Sequence, residues 1–157
     1  MKRTLFLILF GASLLFTNCT KDDDTTLPDQ TTVELDCTTE AAPCELATQN
    51  NAFGFSVFQK LHEEAPDENI FISPLSISIA LSMTMNGAAD ETQAAMQKTL
   101  ELNDWNVDDV NAAYDLLLNG LPGLDEEVQL QLANSIWYKE NYPIKESFLT
   151  TNAENYN

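Results

Sequence analysis

The stretch from Asn69 to Ala88, Asn-Ile-Phe-Ile-Ser-Pro-Leu-Ser-Ile-Ser-Ile-Ala-Leu-Ser-Met-Thr-Met-Asn-Gly-Ala, constrains the fold more than any other part of the chain. Ile70, Phe71 and Ile72 are consecutively apolar, the pattern of a short strand covered on both faces. Ser73 then stands at a helix N-cap position, where its hydroxyl can accept from an unpaired backbone N–H. Pro74 takes the first helical position, where a missing N–H costs nothing. The helix runs to Gly87, a residue suited to a left-handed terminator. Ile77, Leu81 and Met85 form one row along it, and Ile79 and Met83 a second; Ser76, Ala80, Thr84 and Ala88 make a third row, of small residues. No charge falls between Pro74 and Ala89, so the helix is expected to be buried all round, with the small row allowing close approach of a neighbour. A buried Ser76 or Ser78 must then hydrogen-bond the preceding turn or a partner strand. Such a helix needs a large sheet over it.

The chain opens with Lys2 and Arg3 and an apolar run from Leu5 to Phe16, about twelve residues, which is the length of a signal-peptide h-region and short of a membrane span. Residues 1–18 are therefore expected to direct export. Cys19 follows at the place where bacterial lipoproteins are cleaved and acylated. Leu15-Phe16-Thr17-Asn18 fit a lipobox loosely, and a relaxed box with Lys21-Asp22-Asp23-Asp24 behind it resembles the surface lipoproteins of Bacteroidetes-type bacteria. Lipid attachment at Cys19 is favoured over ordinary cleavage, and it implies a chain anchored to the bacterial outer membrane, facing the cell surface. Residues 19–45 are rich in Thr, Asp, Glu, Pro and Gln and poor in apolar side chains, so they read as a disordered tether. Cys37 and Cys44 lie within it. In an exported protein two nearby cysteines are expected to pair, closing a small loop.

Folded elements begin at about Leu46. Phe53, Val57 and Leu61 share a helical face, with Phe58 adjoining, until Pro66 closes the helix. His62, near its end, reads as a solvent-facing residue at a helix C-terminus. Asp90 and Glu91 lead a short helix through Thr92, Met96 and Leu100, with acid at the end that suits the macrodipole. A polar break carrying Trp105 precedes a helix from about Val107 to Asn119, with Val110, Tyr114, Leu117 and Leu121 on one side. Gly120, Pro122 and Gly123 stop it. From Glu127 the period changes to two: Val128, Leu130, Leu132, Asn134, Ile136 and Tyr138 fall on one face, predicting a long strand. Lys145 to Tyr156 reads as the last helix.

The early segment Asn69, Phe71, Ser73, Pro74 and Ser76, then Gly87 and Thr92, and later Leu132-Ala133-Asn134-Ser135-Ile136-Trp137, resemble the signature positions of the serpins, the protease inhibitors that trap their targets by changing conformation. Type and spacing agree from about Asn51 to Asn157. The resemblance implies an α+β fold: the N-terminal part of a serpin domain over residues 46–157, with helices A to E, a short buried strand and one strand of the large central sheet. It implies an inhibitor of serine or cysteine proteases, not an enzyme. A strained bait loop is cleaved and inserts into the central sheet, carrying the protease with it. On this resemblance Ser73 and Ser76 lie at the helix start beneath the sheet, where its strands part, and tune that opening. The bait loop lies beyond Asn157 in family members, so the chain is expected to be incomplete and inactive alone. A helix missing its sheet cover is also expected to make the isolated chain aggregation-prone or molten. The alternative function is that of a surface lipoprotein acting as a binding module without inhibition.

Charge and composition narrow the remaining classes. Seven basic residues face twenty-five acidic ones, and loss of Lys2 and Arg3 with the signal moves the net charge from −18 to −20. Nucleic acid is excluded as a partner, since its binding rests on clustered Lys and Arg. An anionic bilayer would be repelled, so membrane contact is expected only through lipid. The family's polysaccharide-binding property does not carry over, because Asp108, Asp109 and Asp115 occupy the corresponding helix. No G-x-S-x-G elbow surrounds Ser73 or Ser76, and no phosphate loop, H-E-x-x-H or Ca²⁺ loop is present in the sequence. No cofactor or metal is expected; two tether cysteines without C-x-x-C spacing and one histidine make a poor ligand set. The partner is expected to be a target protease.

Overall fold

The computed structural model describes residues 37–39, 41–125 and 127–156; the predicted signal, the lipid-attachment cysteine Cys19 and most of the tether lie outside the described residues. Among the described residues the fold is all helical: α1 (Ala41–Glu64), α2 (Pro74–Met85), α3 (Asp90–Thr99), α4 (Val107–Gly120) and α5 (Glu146–Asn155). A single 3₁₀ turn, Leu121–Gly123, follows α4.

α1 buries Pro43, Leu46, Asn50, Phe53 and Gly54 along one stripe and ends where Pro66 forbids continuation. It starts at Ala41, five residues ahead of the start that apolar periodicity predicts at Leu46. α2 is packed against α1 and α3, and α4 against α1 and α5. α1 and α2 approach closely at Gly54, where an added Cβ would stand 2.8 Å from the Pro74 Cβ. Only glycine lets the first turn of α2 seat there. α4 begins with Asn106 accepting from the Asp108 N–H at 3.0 Å, and Asp108 and Asp109 add acid to its first turn. Its stripe Val110, Tyr114 and Leu117 is buried as the spacing predicts. Leu100 and Leu102, either side of the turn that ends α3, complete the core beside Met83, Met85 and Ile79 of α2.

The α+β expectation is overturned: no strand forms among the described residues, neither at Ile70–Ile72 nor between Glu127 and Tyr138. Alternation decides which side chains face inward; a strand also needs a second backbone to bond, and nothing among the described residues supplies a ladder. Half of the sequence signal survives. From Leu132 to Trp137 burial alternates residue by residue, with Leu132, Asn134 and Ile136 turned inward. Val128, Leu130 and Tyr138, predicted for that same face, are exposed. Phe71 is wholly exposed.

The expectation that α2 is covered all round is also corrected. Ser78, Ile79, Ser82, Met83 and Met85 are buried, whereas Ser76, Ile77, Ala80 and Thr84 face outward. The small row that was to receive a close neighbour therefore lies on the open side. Gly87 is not left-handed, since no glycine among the described residues has a positive φ. Asn86 continues the right-handed backbone at the C-cap, and Gly87 instead clears room for the Phe148 ring, which a Cβ would meet at 3.1 Å.

Candidate functional site

Asn69, Phe71, Ser73, Pro74, Ser76 and Gly87 fall at the two ends of α2, Thr92 in α3 and Asn134 in the irregular segment before α5. At its start, Ser73 occupies the N-cap with extended backbone, and its carbonyl accepts from the Ile77 N–H at 3.2 Å. Its hydroxyl does not cap the helix; it pairs with the Ser76 hydroxyl at 2.8 Å. Pro74, at the first helical position, has no N–H to be satisfied. Both serines are exposed, as are Asn69 and Phe71, which precede them. Thr92 sits in the first turn of α3, on the wall of an apolar cavity of about 280 Å³ that also takes in Leu81, Met96 and Leu100.

At the other end of α2 lies a buried polar seam. Asn86 Nδ2 donates to Asn152 Oδ1 at 3.1 Å, and Asn111 Nδ2 donates to Asn86 Oδ1 at 3.0 Å. The Tyr156 hydroxyl closes the line by donating to Asn111 Oδ1 at 2.8 Å. Asn152 Nδ2 donates to the Phe148 carbonyl and Asn134 Nδ2 to the Tyr156 carbonyl. These bonds tie the C-terminus of α2 to α4 and α5, and Asn134 ties the irregular segment to the end of α5. Buried amides fulfilled in this way fix the relative placement of the elements, because any slip leaves a donor or acceptor unpaired in an apolar setting.

Two tyrosines flank the seam, with ring centroids 5.2 Å apart. The Tyr114 hydroxyl donates to Asn50 Oδ1 at 2.9 Å, reaching back to α1. Burial pushes the Tyr114 phenol above its ordinary range, against the pull of the neighbouring Ser78, Ser82 and Asn50 groups. Burial raises Tyr156 further, with the adjacent Tyr114 adding to it. Asn50 Nδ2 and the Ser82 hydroxyl are buried without a partner in the same region.

Ser73 and Ser76 bond each other, and His62 stacks on Phe58 at a centroid distance of 6.5 Å in the last turn of α1. Among the described residues, no group of three or more His, Cys, Asp or Glu side chains could hold a metal, and no helix is long and apolar enough to cross a membrane. Cys37 and Cys44 are joined in a disulfide, with Cα atoms 5.8 Å apart. The seam residues Asn86, Asn111 and Asn152 were not singled out by sequence reasoning. Asn111 lies three residues before Tyr114 on the buried side of α4, and a polar residue at such a position signals a buried network.

The serpin family model, described as serine protease inhibitor, matches residues 48–157. The chain belongs to the serpin family. It is 27% identical over 149 residues to an uncharacterized serpin-like protein of Methanosarcina acetivorans, covering 90% of this chain and 34% of that protein. Mouse leukocyte elastase inhibitor A is 31% identical over 112 residues, covering 71% of this chain and 29% of the relative. Human alpha-1-antichymotrypsin is 33% identical over 105 residues, covering 66% and 25%. The chain thus spans between a quarter and about a third of the length of these curated relatives. Serpins are generally protease inhibitors rather than enzymes.

Proposed function

We propose that this chain contributes to serpin-type inhibition of serine or cysteine proteases, in which a bait loop is cleaved and inserts into a sheet that traps the protease. The observation that carries this reading is the asymmetry of α2. Its inner face and C-terminal end are held by core packing and the amide seam, while Ser76, Ile77, Ala80 and Thr84 stand open. A helix anchored on one side only is a fixed platform against which another element can slide or part. In this reading Ser73 and Ser76 belong to that platform and do not react. Relatives named as an elastase inhibitor and an antichymotrypsin support the inhibitory reading. In this reading the protein is an inhibitor and not an enzyme, and its partner is a target protease.

A second reading has its own support. Rabbit corticosteroid-binding globulin is 30% identical over 115 residues, so a relative named for binding is about as similar as those named for inhibition. One experiment separates the two. The polypeptide encoded by the whole reading frame is mixed with a panel of serine and cysteine proteases and run on a denaturing gel. A protease-sized upward shift that survives SDS is expected for an inhibitor; cleavage or indifference across the panel refutes inhibition.

We propose also that the protein is exported and anchored to the outer membrane through lipid on Cys19, with the residues between Cys19 and α1 as tether. Labelling with an alkynyl fatty acid is expected to mark the wild-type chain and not Cys19→Ala. A soluble, unlabelled wild-type chain refutes it.

A further inference from the structure

The start of α1 is held by a feature that has no part in the reading above. Apolar periodicity predicts this helix from Leu46, yet it begins at Ala41. The additional turn has little of its own to hold it. Its first turn contains no acid, and Ala41, Ala42 and Glu45 are exposed. Pro43 is the one buried side chain ahead of Leu46. What spans this turn is the Cys37–Cys44 bridge, which ties the turn at residues 37–39 to the fourth residue of the helix.

We propose that the Cys37–Cys44 disulfide is a redox-sensitive staple that sets where α1 begins, and that its reduction by a dithiol releases residues 41–45 from the helix. Cys37 is exposed and Cys44 half-buried, so the bridge is open to thiol–disulfide exchange. A thiolate of the dithiol attacks one bridge sulfur, the other leaves as a thiolate and takes a proton, and the second thiol resolves the mixed disulfide. One S–S bond breaks in the protein and one forms in the reductant, with two electrons and two protons passing to Cys37 and Cys44. The bridge closes a short loop, which restrains the frayed state of the helix end far more than it touches the core.

The consequence reaches one further element. Ala41, Ala42 and Glu45 form one wall of a cavity of about 490 Å³ whose other side is Asp104, Trp105 and α4. Release of the first turn removes that wall and uncovers Trp105, which is half-buried beside it.

The test compares the full chain, oxidised and reduced with dithiothreitol, by hydrogen–deuterium exchange read by mass spectrometry. Amides from residues 45 to 48 are expected to exchange about tenfold to fiftyfold faster on reduction, the size expected for opening a short closed loop. Peptides covering Phe53 to Leu61 are expected to be unchanged. Cys37→Ser/Cys44→Ser should exchange like the reduced chain and ignore the reductant. In a Trp137→Phe background, Trp105 emission should shift to the red on reduction and stay fixed in the double serine variant. Equal exchange in both redox states overturns the proposal, as does a uniform increase along the whole chain. Peptide mapping that finds either cysteine bonded to Cys19 overturns it as well.

Discussion

Replacing Asn111 by leucine is the sharpest test of the amide seam. Asn111 is 3% exposed and makes two side-chain bonds, receiving the Tyr156 hydroxyl at 2.8 Å and donating to Asn86 Oδ1 at 3.0 Å. Leucine keeps the volume and removes both. The buried Tyr156 hydroxyl and Oδ1 of the half-buried Asn86 are then left without these partners, at a cost of about 1–3 kcal/mol each. The apolar isobutyl group recovers part of this, so a net loss of about 3 kcal/mol is expected, a large share of the ~5–15 kcal/mol of a typical domain. Tyr156→Phe alone leaves only Asn111 Oδ1 short of a partner and should cost about 1–2 kcal/mol. In the double variant the hydroxyl and the acceptor it addressed are both gone. The combined loss should therefore fall short of the sum by at least about 1 kcal/mol. Urea titrations followed by circular dichroism measure all four corners of the cycle. A loss under about 1 kcal/mol for Asn111→Leu, or strict additivity of the pair, would refute the seam as the clamp on α2.

Other outcomes follow from the same geometry. Gly54→Ala should lower stability by about 1–3 kcal/mol, because the new methyl meets the Pro74 Cβ at 2.8 Å; thermal melts check this. Ser76→Ala removes one exposed hydroxyl paired only with Ser73, so its melting midpoint should move by no more than the equivalent of about 0.5 kcal/mol. Stability should also fall at high pH. Tyr114 and Tyr156 have folded pKa values raised above the ordinary 10.0, so their contribution is complete below pH 10 and is lost as pH climbs toward the raised values. Urea midpoints measured from pH 8 to 11 should decline above 10 in the wild type and decline less in Tyr114→Phe/Tyr156→Phe.

The helices were legible in the sequence because their signals are local. Pro74 and Pro66 set boundaries, and the Val110–Tyr114–Leu117 stripe is buried as its spacing requires. The predicted strands do not form among the described residues, because residues 127–138 carry the pattern of a sheet face but pairing depends on a second backbone. Side-chain chemistry at the ends of α2 was hidden for a similar reason. Ser73 has the residue type of a cap, yet its nearest partner is another hydroxyl one turn away. Gly87 was read as a conformational device and serves instead as space for Phe148. The seam joins Asn86 to Asn152 across 66 positions, a separation that no local window spans.

The segment around Asn134 separates two kinds of order that usually travel together. Leu132, Asn134 and Ile136 are anchored by their side chains, while the peptide groups between Gln129 and Trp137 are engaged in no backbone pairing among the described residues. A probe of peptide bonding would score this stretch as coil, whereas methyl relaxation at Leu132 and Ile136 would score it as fixed. Rigidity here belongs to the branches of the chain and not to its trunk.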